Sequence, residues 1–218
     1  MLHNTSNNSW LFRRDEIDAL EDELDEVFDL HERSDDSVNR SIEEAVIDEQ
    51  ERTEHAYEHK LADILGPDAR DEDEPHTCEH CQGGVPDGVA FKDMLSQDRD
   101  SLYARSYRWA VEVFAWAKDG YWQVGMRNRD MFRVLLNAYL VPVKVTFALS
   151  EAARDDEYAS RIAGLEYDLA ICYLSRTRES LGSLRAMGLE HADLRRMIGE
   201  ADALGLLLLE RRAKFPPV

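Results

Sequence analysis

The chain has 218 residues, 44% hydrophobic and 33% charged, and 45 acids against 26 Lys and Arg give a net charge of −19. That length accommodates roughly one or two domains with a real core, and the acidic excess opposes long-range attraction to nucleic-acid backbones and anionic membranes. Three cysteines, one of them isolated, exclude a disulfide framework.

The opening residues, MLHNTSNNSWLFRRDE, hold no apolar secretory segment. The longest apolar stretch, Val134–Val143, is interrupted by Asn137 and Pro142 and is about half the roughly twenty residues a bilayer span requires. The expectation is a cytoplasmic protein that does not enter a membrane. The charge is divided between two halves: residues 1–100 hold 30 acids and 9 bases, and residues 101–218 hold 15 acids and 17 bases. Abundant acids with 5 Lys against 21 Arg give a halophile-like composition, in which carboxylates hydrate the surface and salt screens their repulsion. An acidic N-terminal arm on an ordinary protein is the plainer account.

Residues 1–14 read as a polar tail. Residues 15–66 read as an acidic arm of two helices. Over 15–33 the apolar positions Ile17, Leu20, Leu24 and Val27, followed by His31, fall at 3-4-3-4 spacing, a narrow coiled-coil-like stripe. Asp18/Asp22, Glu21/Asp25, Asp22/Glu26 and Asp25/Asp29 are like-charge i,i+4 pairs, each mildly destabilising, so this helix needs salt or a partner. Ser34–Ser37 supplies a break and an N-cap. The second helix, with Val38, Ile42, Ala45, Ile64 and Leu65 among its apolar positions, ends at Gly66-Pro67.

Residues 67–90, rich in Gly, Pro and acids, read as a loop carrying a candidate zinc knuckle. Residues 91–218 read as an antiparallel four-helix bundle with short connections. The first helix carries Tyr103, Tyr107, Ala110, Phe114 and Ala117. The second, Asn128 to Arg154, carries Met131, Val134, Ala138, Val141, Val145 and Ala148, with a kink expected at Pro142. The third, Asp156 to Met187, carries Tyr158, Ile162, Leu165, Leu169 and Cys172. The fourth, Ala192 to Lys214, carries Leu194, Met197, Ala201, Leu204 and Leu208. No stretch alternates at period two, so the fold class is all-α.

The chemistry concentrates between residues 55 and 81. His55 and His59 stand at i,i+4 on the second helix and project from one face, as two ligands of one ion must. Cys78 and Cys81 form C-x-x-C followed by Gln82-Gly83-Gly84, and the two-residue gap lets both thiolates point inward. His55, His59, Cys78 and Cys81 could therefore close a structural Cys₂His₂ zinc site, with His76 and His80 as spare candidates. Against this stand a solvated histidine pair and a free dithiol.

His55-Ala56-Tyr57-Glu58-His59 also fits H-x-x-E-H, the zincin motif in inverted order, in which Glu58 would activate a metal-bound water. The resemblance stops at those five residues. No histidine has Glu three residues before it, which argues against di-iron bundle chemistry. Trp109, Trp116 and Trp122 lie at or beside core spacing, and Cys172 reads as a small buried hydrophobe.

The arginines of the second half cluster at Arg127/Arg129/Arg133, Arg176/Arg178, Arg195/Arg196 and Arg211/Arg212 with Lys214. They read first as solvated helix faces. Docking of the acidic arm is the second reading, and a nucleic-acid surface is the third. Taken together, the sequence points to a regulatory or adaptor protein without enzymatic activity. It would act through a protein partner or self-association and be stabilised by structural zinc. A nucleic-acid-binding regulator is the alternative, and a metallohydrolase at His55, Glu58 and His59 is the third possibility.

Overall fold

The computed structural model describes residues 22–33, 37–66, 102–122, 127–154, 156–189 and 192–217. Among them there is no strand. Residues 22–32 are helical, and six further helices follow: α1 (Ser37–Leu65), α2 (Leu102–Tyr121), α3 (Arg129–Ala138), α4 (Leu140–Ala152), α5 (Glu157–Ala186) and α6 (Ala192–Arg212). The all-α expectation holds. The polar tail, the knuckle and the positions Ile17 and Leu20 lie outside the described residues.

The helix ends follow from local chemistry. Asn128 caps α3 by accepting from the Met131 backbone N–H at 3.0 Å, and Asp156 caps α5 by accepting from Ala159 at 2.6 Å. At the far end of α5, Leu189 N–H donates to the Leu184 carbonyl and Gly188 N–H to that of Arg185. This is the six-to-one and five-to-two pattern of a Schellman turn, and Gly188 takes the positive φ of 96° it requires. Gly66 stops α1 with the simpler left-handed cap, its N–H donating to the Ala62 carbonyl at 2.9 Å and its φ at 84°.

The helix expected from Asn128 to Arg154 is two helices that meet at Tyr139. Pro142 has no N–H for the Ala138 carbonyl and its ring crowds that oxygen, so the kink becomes a break one turn before the proline. The apolar stretch Arg129–Ala152 is the one among the described residues long and apolar enough to cross a membrane, and its most apolar 18-residue window is 61% buried inside the fold. Its apolarity therefore serves the core.

Helix α5 is the axis of the packing and touches α1, α3, α4 and α6, while α2 closes the group against α3, α4 and α6. Its buried positions, from Ala159, Ala163 and Tyr167 to Leu181 and Leu184, are spread over more than one face, because neighbours lie on several sides. The main core draws on α2 to α6 throughout. From α1 it takes Val46 as a fully buried member, and from residues 22–32 it takes Val27 and Leu30. The acidic first helix has thus found a surface in its own chain: Val27 is fully covered, and Lys118 Nζ reaches Glu26 at 2.6 Å.

Candidate functional site

Helix α1 lies on α3 and α5 through a face that is mostly polar. Its inward positions, Glu43, Val46, Gln50, Thr53 and Tyr57, repeat at three and four residues, the spacing of one helical stripe. The apolar positions Val38, Ala45 and Leu65 point outward. Of the other expected apolar positions, Ile64 is buried and Ile42 half-buried, so hydrophobic spacing located part of the covered surface of α1 and missed the inward positions that are polar or charged.

Three clamps hold this face. In the first, Glu43, whose side chain is 2% exposed, accepts from Arg127 Nη2 at 3.2 Å and lies 3.5 Å from His31 Nδ1. The His31 contact is a close approach of polar atoms without the alignment of a hydrogen bond. Arg127 also donates to the Tyr121 hydroxyl at 3.1 Å, and its guanidinium lies over the Tyr121 and Trp122 rings.

In the second, the carboxylate of Glu49 gathers three arginines: Arg133 at 2.9 Å, Arg176 at 3.3 Å and Arg129 at 3.4 Å. Arg176 also donates to Gln50 Oε1 and Thr53 Oγ1. In the third, the Tyr57 hydroxyl donates to Glu166 on α5. Lys144 Nζ stands 3.2 Å from the other Glu166 oxygen and over the Tyr57 and Phe147 rings. The Lys144–Glu166 approach is a charge pair, and the geometry for a hydrogen bond at that oxygen is not met.

The energetics of such a seam differ from those of a core. Each close pair gains Coulomb energy but gives up hydration, and the two nearly cancel. Val46 adds about 1.5–3 kcal/mol of apolar burial, and Ile47 and Tyr57 add a partial share against the same core. The net hold on α1 is therefore modest, while breaking one partner of a buried pair is costly.

The arginine clusters divide accordingly. Arg127, Arg129, Arg133 and Arg176 are engaged by α1 carboxylates, so for them docking replaces the solvated face. Arg178 pairs with Asp202 and Arg196 with Glu112, both on exposed faces. Arg212 bonds Asp168 and the carbonyls of Phe215 and Pro216, tying the C-terminal segment down on α5.

Burial pushes the Tyr57 hydroxyl up, and the bond to Glu166 adds to the shift. Burial likewise raises Tyr173, with Glu54 nearby, and takes Tyr139 up to about 12. A folded value above the unfolded one, about 10 for Tyr, means a contribution present below that pH and lost as pH climbs toward the folded value. Melting temperature should therefore hold to about pH 9.5 and fall above pH 10, and Tyr57→Phe should flatten part of the fall. Identical alkaline profiles for the two proteins would remove Tyr57 from the account.

His55 and His59 are both on the exposed side of α1. His55 Nδ1 lies 3.1 Å from Glu58 Oε2, and the two side chains are 74% and 67% exposed. Cys78, Cys81, His76 and His80 lie outside the described residues. Among the described residues no group of three or more His, Cys, Asp or Glu is arranged to hold a metal. Trp109 is buried and donates to the Met197 carbonyl at 3.0 Å. Trp122 is 54% exposed beneath Arg127, contrary to the packing role expected of it. A cavity of about 210 Å³ between α2 and α6 is lined by Arg105, Arg108, Trp109, Glu112, Arg196 and Glu200, and the Arg105–Glu200 and Arg196–Glu112 pairs cross it.

Comparison with protein-family models, with curated proteins and with solved structures returned no match for this chain.

Proposed function

We propose that the chain is a regulatory or adaptor protein that acts by protein–protein contact and has no enzymatic activity. The observation that carries this reading is the α1 seam. A helix held by aligned carboxylate–guanidinium pairs is a polar helix-in-groove contact of the sort proteins use between partners. The nucleic-acid alternative needs arginines to meet phosphates, yet Arg127, Arg129, Arg133 and Arg176 are occupied by Glu43 and Glu49. Under the adaptor reading the full chain shows no saturable binding to DNA or RNA in an anisotropy titration at physiological salt. Saturable binding there would put the nucleic-acid regulator first.

The same reading assigns a structural zinc to His55, His59, Cys78 and Cys81. The two histidines share one face of α1, and a His55 whose Nδ1 faces Glu58 keeps Nε2 for a metal, the usual second partner of a ligating histidine. Glu58 in that role orients His55, which leaves the hydrolase assignment without its water-activating base. About one zinc per chain should copurify with untagged protein in reducing buffer, and Cys78→Ser or His59→Ala should each lose it. Background metal content in the unaltered protein would sink the assignment.

A further inference from the structure

We propose that α1 is a removable occupant of a receptor face on α3 and α5, and that this face accepts an acidic helix from a partner protein in its place. The inference rests on the adaptor reading and names its site and its partner.

The core beneath the face is built by α2 to α6 with Val27 and Leu30 of residues 22–32, and α1 adds Val46 as its fully buried member, with Ile47 and Tyr57 partly buried against it. What remains is a surface dense in cations: Arg127, Arg129, Arg133 and Arg176 face Glu43 and Glu49, and Lys144 stands beside Tyr57. Planar forks of this kind select carboxylates placed in register.

The chemistry of the seat selects a helix over a polyphosphate. Glu166 is buried in the seat and takes a hydroxyl proton donor from Tyr57, whereas a phosphate there would meet a carboxylate. The site that Val46 fills takes an aliphatic side chain. The matching ligand is therefore a helix with acids six residues apart, an aliphatic residue midway and a hydroxyl-bearing ring further on, as Glu43, Val46, Glu49 and Tyr57 are in this chain.

The attachment of α1 supplies regulation. Residues 67–101 join it to α2, so occupant and seat belong to one chain, and covalent attachment makes their contact intramolecular and raises the effective concentration of the occupant. The chain's own helix therefore wins until a partner brings surplus contacts or the seam is loosened, and partner affinity is reduced by the fraction of time the seat is filled.

The test titrates a fluorescent peptide of residues 37–66 with the full-length protein and with its Glu43→Gln/Glu49→Gln variant, reading anisotropy. The variant, whose own helix no longer competes well, should bind the peptide at least about tenfold more tightly than the unaltered chain. Hydrogen exchange on the unaltered chain gives a second reading that needs no variant to fold. The α1 amides should exchange about 100-fold faster than those in the middle of α5. Equal peptide affinities would overturn the proposal. So would α1 protection equal to that of α5, and either result leaves the adaptor reading to stand on another surface. Displacement of the bound peptide by a short DNA duplex at physiological salt would overturn both together.

Discussion

Replacing Leu135 by alanine should lower the unfolding free energy by about 2–5 kcal/mol, a drop in melting temperature of roughly 5–20 °C for a domain this size. Leu135 is fully buried in α3, and α3 packs against α2, α4 and α5 as well as α1. The lost methyl groups forfeit transfer energy, and a helix pinned on that many sides has little freedom to collapse into the space. The loss should appear as one cooperative transition shifted to lower urea. Val38→Ala provides the contrast: Val38 is 67% exposed on α1, and its loss should stay within about 0.5 kcal/mol. A cost below about 1 kcal/mol at Leu135 would mean that α3 is not the joint of the core.

The core was legible wherever apolar residues alone decide which face is buried. The stripe Leu194, Met197, Ala201, Leu204 and Leu208 of α6 is buried at every position, as are Met131, Val134, Ala138, Val141, Val145 and Ala148 across α3 and α4. In α5 the expected stripe is met in part: Leu165 and Leu169 are buried. Tyr158 is 60% exposed, and Ile162 and Cys172 are half-buried, while Ala159, Ala163, Gly164 and Ala170 carry the contacts. Small residues have little hydrophobic weight, yet they are what permits close approach: a Cβ on Gly164 would come within 3.2 Å of Phe215. A helix packed on several sides gives periodicity no single face to report.

Helix α1 was legible in its extent and at Ile64, which is buried, but its inward polar positions were not. Its buried face contains Glu43, Gln50, Thr53 and Tyr57, which any hydropathy scale turns to solvent. The charge division between the two halves of the chain made docking of acids on arginines the second reading, after solvated helix faces. It could not say which, because pairing such as Glu49 with Arg133 and Arg176 joins positions far apart in sequence. The spacing of His55 and His59 was legible and is observed, whereas their two cysteine partners lie outside the described residues.

Replacing Arg127 by methionine should release α1 while leaving α2 to α6 folded. The substitution keeps much of the side-chain bulk over Tyr121 but removes the charge that faces Glu43. A buried carboxylate stripped of its partner costs about 3–5 kcal/mol when it has nowhere to go. Here it does have somewhere to go. Glu43 returns to water if α1 lifts from its seat, and lifting forfeits the burial of Val46, part of that of Ile47 and Tyr57, and pairs that nearly break even. The measured penalty is therefore capped by the docking energy of α1, and the signal moves from global stability to local opening. Hydrogen exchange should show α1 amides approaching unprotected rates in Arg127→Met while the middle of α5 is unchanged. The double variant Arg127→Met/Glu43→Leu should restore α1 protection, because replacing both partners by apolar groups leaves no buried charge. Non-additivity of this kind separates a buried pair from two independent contacts. If Arg127→Met instead unfolds α5 along with α1, then α1 belongs to the same cooperative unit as α2 to α6 and the charge seam is part of their core.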